Sequence, residues 1–372
     1  MRELVKKIVA ILISLILIVC AIGTILTGIV IKDFEYACGN GNVFKGIFSS
    51  IYGYSNRLFG KKIFIDGESV VMMTSDGNLV GKLEPYDPRE NRQAIDGFNE
   101  YLKNLGIGYG FIITSECGDE RSGLLPLGVT TNHCEDTTNK MISMLDDLGI
   151  SYVNTYDYLS TDSRSYSNYF YKTDHHWNDY AGLYVSQLVT KYLNEEYDFG
   201  LDYSMFNLEN YEIEKHDESF MGSYGRKVGY GTVYPEDFDI LTPKFNTKFD
   251  IVFPKLEETN QSGSYRDALI YGKYIISSEK YVNRYCAYLG GDFQITNIHN
   301  LNVDNNIRVL VLKDSKANVV NAHLACAVEY LDIIDLRHYK DNLKDYIEST
   351  RPDVVLHIQS AFAGGAFYAF DK

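Results

Sequence analysis

The segment Thr173-Asp174-His175-His176-Trp177-Asn178 gathers two of the chain's eight histidines, its single tryptophan and an aspartate two residues ahead of His176. An imidazole moves protons near neutral pH, and a carboxylate beside it fixes the tautomer and steadies the charged form. Downstream, Ala181, Tyr184, Val185, Leu188, Val189 and Tyr192 recur at helical spacing, so the motif sits on a turn entering a helix. The same residues also read as an Asp/Asn-rich helix cap, since short motifs have many chance matches.

A second segment bears on that choice. Lys313-Asp314-Ser315 closes the apolar run Ile307 to Leu312, and Ala317, Val320, Leu324 and Ala327 follow at helical spacing. A serine where a strand gives way to a helix is held on a tight turn, with backbone N–H groups available to an oxyanion. A bare serine needs a base within hydrogen-bond reach and a third group to orient that base. Ser315, His176 and Asp174 could fill these roles. Ser and Asp are common helix caps too, so Ser315 draws its weight from the pairing with His176.

The elements that must position these residues alternate along the chain. Ile63 to Gly67 reads as a short strand and turn; Ile95, Phe98 and Leu102 mark a helix; Gly108 to Thr114 is a buried strand. Met141, Met144, Leu145 and Leu148 mark the next helix, before a strand around Ile150 to Val153. After Ile307–Leu312 come a strand at Leu331–Leu336, a helix through Leu343, Tyr346 and Ile347, and a strand at Asp353–Ile358. This rhythm predicts an α/β fold with a parallel sheet covered on both faces. Sites in such sheets form beyond the carboxyl ends of the strands, where Lys313 to Ser315 fall. Tyr197 to about Asn305 breaks the rhythm and reads as a long mixed insertion, with antiparallel strands suggested within Lys244–Phe253.

At the N-terminus, Ile8 to Ile31 is a run of 24 residues without a charge, preceded by Arg2, Lys6 and Lys7 against the single acid Glu3. It is long enough for a transmembrane helix, and the basic bias holds the N-terminus in the cytoplasm with the remainder outside. A cleaved signal peptide is the alternative, but no clear small-x-small cleavage site follows the run. The expected organisation is a tail and anchor over 1–32, a stalk over 33–62 and a catalytic domain over 63–372 with its insertion at about 197–305. Net charge is −15, and −17 beyond the first seven residues, which repels phosphate backbones and argues against nucleic acid. Six cysteines are scattered without a CxxC pair. Outside the cytoplasm Cys117 and Cys134 could form a disulfide; isolated buried thiols are the other reading.

These motifs resemble the DHHW family, which includes the alginate O-acetylation proteins and is regarded as SGNH-hydrolase-like. Phe170 to Asn178 (FYKTDHHWN) and Leu312 to Val320 (LKDSKANVV) carry the resemblance, with Phe170 where Tyr is usual and Lys316 where an aromatic is more familiar. Ile333–Tyr339, Arg351–Ile358 and Phe220-Met221-Gly222-Ser223 with Gly229 are further landmarks, so the likeness runs from about Ile63 to Ile358. It implies an SGNH-hydrolase-like domain in which Ser315 is the nucleophile, His176 the base, Asp174 its orienter and His175 a bystander. The Gly and Asn that complete the oxyanion hole in that group have no assigned counterparts here; Ser115 is a candidate for the cleft wall.

The resemblance implies O-acetyl transfer to a cell-surface or exported polysaccharide through an acetyl-serine. Acetyl-CoA is cytoplasmic, so the implied partner is a multi-spanning membrane acyltransferase that hands the acetyl group across. An esterase with the same triad differs only in that water replaces the sugar hydroxyl. A non-enzymatic anchored scaffold of polysaccharide assembly is a third reading. A metal site from Asp174, His175, His176 and distant residues such as His133 is disfavoured, because adjacent histidines rarely reach one ion together. No metal and no cofactor are expected.

Overall fold

The computed structural model describes residues 11–18, 43–256, 260–277 and 282–363. Only 11–18 of the apolar N-terminal run falls among these; it is helical and exposed. Among the described residues no helix is long and apolar enough to cross a membrane. The rest of the Ile8–Ile31 run, and with it the expected anchor, lies outside the described residues, as does Cys20.

The described residues form two units. The smaller holds helix α1 (Val43–Leu58), inside the expected stalk, together with Gly229–Thr232, where the Thr232 hydroxyl donates to the Gly53 carbonyl at 3.1 Å.

The larger unit is built on an eight-stranded sheet. Its parallel half runs β5 (Ser151–Asn154), β4 (Gly108–Thr114), β13 (Val354–Ser360), β11 (Arg308–Lys313) and β12 (Tyr330–Asp335). Beyond β12 the order continues with β10 (Ile295–Asn300), β8 (Phe249–Val252) and β9 (Gln261–Gly263), each antiparallel to its neighbour. The sheet is therefore mixed where a parallel one was expected. The cause lies in the insertion: three of its strands return to extend the sheet edge, and the alternation in Lys244–Phe253 is that of β8. β1 (Ile63–Asp66) joins β2 (Ser69–Met73) and β3 (Leu79–Gly81) in a separate antiparallel sheet, and β6 (Tyr211–Glu214) pairs with β7 (Ile240–Pro243).

Both faces of the parallel half are covered, which is why its strands are continuously apolar. Alternate residues divide between the faces: Val309 and Val311 of β11 join one core, Leu310 and Leu312 the other. On the second face lie α2 (Arg92–Leu105) through Ile95, Phe98 and Leu102, α3 (Cys134–Leu148) through Met141, Met144 and Leu145, and later α7 (Leu343–Thr350). The first face carries α4 (Asp179–Tyr197) and α6 (Ala317–Leu324); the short α5 (Ser223–Val228) lies between them in sequence.

α4 and α6 matter most, because the Asp-His-His-Trp segment leads into one and Ser315 into the other. Gly182 lets Val319 approach so closely that any Cβ there would collide with it, and the Ser186 hydroxyl donates to the Val320 carbonyl at 2.9 Å. Beneath them Asp179 and His323, both without solvent exposure, share a 2.6 Å contact. A buried carboxylate and imidazole satisfy each other in this way, and the pair pins the two helices together.

Candidate active site

The motif is held as a narrow loop. Phe170 and Trp177 form an antiparallel bridge, and the Asn178 N–H donates to the Tyr169 carbonyl at 2.9 Å. The cap reading holds for Asn178, whose side chain accepts the Ala181 N–H at 3.2 Å. It does not hold for Asp174 and His176, which are buried and turned elsewhere.

Asp174 Oδ1 accepts the backbone N–H of His176 at 3.1 Å and lies 2.5 Å from His176 Nδ1; its Oδ2 accepts the Ser223 N–H at 2.5 Å. Burial alone would raise this carboxyl's pKa. The charge and hydrogen bond of His176, with His175 and the Ser223 N–H, more than offset it and hold Asp174 well below the ordinary carboxylate range. An ionised carboxylate only accepts, so Nδ1 carries the proton and Nε2 is left to accept. His176 Nε2 stands 2.9 Å from Ser315 Oγ. The structure thus brings the three sequence-predicted residues into one hydrogen-bonded row, although Ser315 lies 139 positions from His176.

The Ser315 turn follows β11 directly. Asp314 is spent on the turn itself: Oδ1 accepts the Lys316 N–H at 2.9 Å and Oδ2 the Ser360 N–H at 2.8 Å. Among the described residues the Ser315 N–H has no hydrogen-bond acceptor, whereas the Asn318 N–H is bonded to the Ser315 carbonyl. Lys313 is buried between Asp292 (2.6 Å) and Asp335 (3.2 Å), and the Asn318 amide donates to the same Asp292 oxygen at 3.0 Å.

Lys316 stands where an aromatic is familiar, and its side chain turns inward. Its Nζ reaches the Ser115 carbonyl at 2.9 Å and Glu116 at 2.5 Å. Ser115 is accordingly buried behind the turn, with its hydroxyl 2.6 Å from that of Thr155, and is not the cleft wall expected of it.

Three further contributors come from the insertion; Tyr285 and Glu236 went unrecognised in the sequence, whereas Gly222 belongs to the Phe-Met-Gly-Ser landmark. Tyr285 stacks on the His176 ring, with centroids 3.7 Å apart and planes 10° from parallel, and its hydroxyl donates to the Lys316 carbonyl at 3.0 Å. Glu236 accepts the N–H groups of Lys172 and Thr173 and the Thr173 hydroxyl, all at 2.6 to 2.7 Å. Gly222 packs against Asp174, where a Cβ would collide with the aspartate side chain. That contact supplies a physical reason for the Phe-Met-Gly-Ser landmark. No periodicity marks Tyr285 or Glu236 among so many tyrosines and acids.

His175 lies beside the row without joining it, its ring centroid 3.7 Å from that of His176 and its Nδ1 3.5 Å from Asp174 Oδ1. It is 41% exposed, and its Nδ1 lies 2.8 Å from the Ser223 hydroxyl. Desolvation, then the neighbouring His176, push its pKa down to about 3. Asp174, His175 and His176 do offer ligand atoms within 4.8 Å of one another. Both His176 nitrogens and both Asp174 oxygens already have partners, so an ion there would have to displace the row. Cys117 and Cys134 are both free and buried, and no disulfide joins them.

No family model and no curated protein matches the chain. Solved structures do. Bacillus cereus PatB1 with a sulfonyl adduct superposes with a TM-score of 0.66 at 20% identity, covering 82% of this chain and 98% of that one. A DHHW family protein from Eubacterium siraeum gives 0.62 at 17% identity, covering 83% and 96%. At such identities the likeness is one of fold, and the sequence resemblance carried by Thr173–Asn178 is met by the fold of a DHHW family protein.

Proposed function

We propose that this chain is a DHHW-family acyl-transfer enzyme that O-acetylates a polysaccharide, with Ser315 as nucleophile, His176 as general base and Asp174 as its orienter. The single observation that carries the reading is the row Asp174–His176–Ser315, with contacts of 2.5 and 2.9 Å, on this fold. In the first half-reaction Ser315 Oγ bonds to the acyl carbon of an ester or thioester donor. Its proton passes to His176 Nε2 and then to the leaving group. In the second, a sugar hydroxyl gives its proton to Nε2 and attacks the acyl-serine, and Ser315 regains the proton as it leaves. The Ser315 N–H is available to the oxyanion in both. Esterase activity, with water in place of the sugar, shares the first half; the ratio of transferred to hydrolysed acetyl separates the two. A scaffold without chemistry remains the reading for a folded chain that never takes up acetyl.

The PatB1 sulfonyl adduct suggests the test. An aryl sulfonyl fluoride should label this chain once, with peptide mapping to Ser315, and Ser315→Ala should abolish the label. Labelling that persists in Ser315→Ala overturns the assignment.

The Ile8–Ile31 run is proposed as a membrane anchor that places the triad outside the cytoplasm, with a multi-spanning acyltransferase as acetyl donor. A reporter fused after Lys372 should be active only if it works outside the cell. Activity from a reporter restricted to the cytoplasm would overturn both.

A further inference from the structure

Apart from the triad, α4 lines a cavity of about 490 Å³ with Tyr180, Tyr184 and Gln187, joined by Arg164, Tyr169 and Asn207. None of Asp174, His176 and Ser315 borders it. Counting 1.5 Å of rise per residue, Gln187 lies about 12 Å along the helix from Asp179, the first residue after the motif.

The aromatic rings are fixed in place. Tyr169 donates its hydroxyl to Asp162 at 2.7 Å and stacks with Tyr184 at 5.9 Å, while Tyr180 donates to Asp239 at 2.9 Å. Tyr180 and Tyr184 remain half-buried, each with part of its ring facing the cavity. Around them are polar groups with capacity to spare. The Arg164 guanidinium rests 4.1 Å above the Tyr180 ring and forms no ion pair among the described residues. The Gln187 amide donates to Asn207 Oδ1 at 3.0 Å and to the Tyr203 carbonyl at 3.3 Å, and among the described residues the Gln187 oxygen and the Asn207 amide nitrogen are left for an outside partner. The Tyr184 hydroxyl has no hydrogen bond among the described residues.

Fixed ring faces set beside a guanidinium and planar amides suit a ligand with apolar C–H faces and a hydroxylated edge, as a pyranose has. A purely apolar partner would strand these polar groups, and the chain's charge of −15 disfavours a nucleic acid. We propose that this groove is a second carbohydrate-binding site, holding one length of a polysaccharide while another length reaches Ser315. The choice of polysaccharide as ligand rests on the function proposed above; the site itself does not involve the triad.

Affinity electrophoresis of the full chain in detergent tests this, with gels cast around hydroxyethylcellulose, glycol chitin or polygalacturonate as neutral, N-acetylated and acidic probes. At least one gel should retard the protein. Tyr184→Ala and Arg164→Ala should each weaken that association at least tenfold while sulfonyl fluoride labelling stays unchanged, and Ser315→Ala should be retarded like the wild type. Absence of retardation in all three gels, or retardation that survives both groove substitutions, overturns the proposal. Retardation lost in Ser315→Ala assigns the binding to the triad cleft and overturns it too. Retardation in a protein that never labels leaves the second site standing and removes the acyl-transfer reading alone.

Discussion

Trp177 donates its indole N–H to the backbone carbonyl of Lys316 at 2.7 Å, with no solvent exposure of the tryptophan. Trp177 follows His176 and Lys316 follows Ser315, so this bond fixes the spacing between His176 and Ser315. Tryptophan suits the position because it joins a large apolar body to a single donor. The Lys316 carbonyl also accepts Tyr285, whose ring lies on His176. One acceptor thereby gathers the Asp-His-His-Trp segment, the Ser315 turn and the insertion.

Trp177→Phe keeps much of the buried ring and loses the donor. The Lys316 carbonyl keeps the Tyr285 hydroxyl, so the lost bond itself costs about 0.5–1.5 kcal/mol, and urea denaturation should show a loss of at least that size. Sulfonyl fluoride labelling should slow about tenfold as Ser315 drifts from His176. Trp177→Phe combined with Tyr285→Phe strands the carbonyl, so the double variant should lose more than the sum of the singles. Wild-type labelling in the double variant would remove the spacing role.

Gly222→Ala places a methyl group against the Asp174 side chain. Overpacking of this kind costs about 1–3 kcal/mol, and here the displaced group is the one that orients His176. Labelling should fall by at least tenfold. Gly97→Ala, at an open position inside α2, should leave labelling unchanged and raise stability by about 0.5–1 kcal/mol, and serves as the control. Equal behaviour of the two variants would contradict the packing account.

Much of this was legible in the sequence, and the physical reasons are uneven. β4, β11 and β13 are apolar runs because both sheet faces are covered, so their places could be read directly. Asp174, His176 and Ser315 stood out by residue type and by their positions at element boundaries. The antiparallel extension of the sheet was not legible, because strand order depends on pairings between segments far apart in the chain. Tyr285 and Glu236 were hidden for the same reason: each acts through tertiary contacts with segments distant in the chain. Lys316 misled as a departure from the familiar aromatic, since only the fold reveals Glu116 and the Ser115 carbonyl waiting for its ammonium.

Lys316→Met keeps the stem's volume and deletes the charge. Glu116 would then keep only the Ser360 hydroxyl and the Ser115 carbonyl would lose its ammonium. The pair is partly exposed on the Glu116 side, so the loss should fall below the about 3–5 kcal/mol of a fully buried pair broken from one side. Adding Glu116→Gln should return part of that stability, because no uncompensated carboxylate is left. A Lys316→Met protein as stable as wild type would show that the pair contributes nothing net.

Asp174 gives the acid dependence of stability a definite sign. Its folded pKa is depressed, so its contribution is fully present above the unfolded value of ~3.9 and drains away as pH falls toward the folded value. The stability difference between wild type and Asp174→Asn, measured by urea denaturation, should be flat from pH 7 to about pH 5 and shrink below about pH 4. A difference that grows on acidification would contradict the depressed carboxyl.

The two adjacent histidines offer the sharpest contrast. His176 touches both Asp174 and Ser315, whereas His175 is partly exposed and turned toward Ser223. His176→Ala removes the imidazole bonded to Ser315 and should slow labelling by about 10³-fold or more if His176 is the base proposed. His175→Ala should lower it by no more than about threefold, since its Ser223 contact lies outside the row. Chelation should leave the wild-type rate unchanged, because an ion on this cluster would displace the bonds joining Asp174, His176 and Ser315. Equal losses from the two substitutions, or loss on chelation restored by zinc, would make the pair a metal-binding cluster. Both variants must keep the wild-type urea midpoint within about 1 kcal/mol for the rates to be compared, and a His176→Gln variant that folds but fails to label meets that requirement if alanine does not.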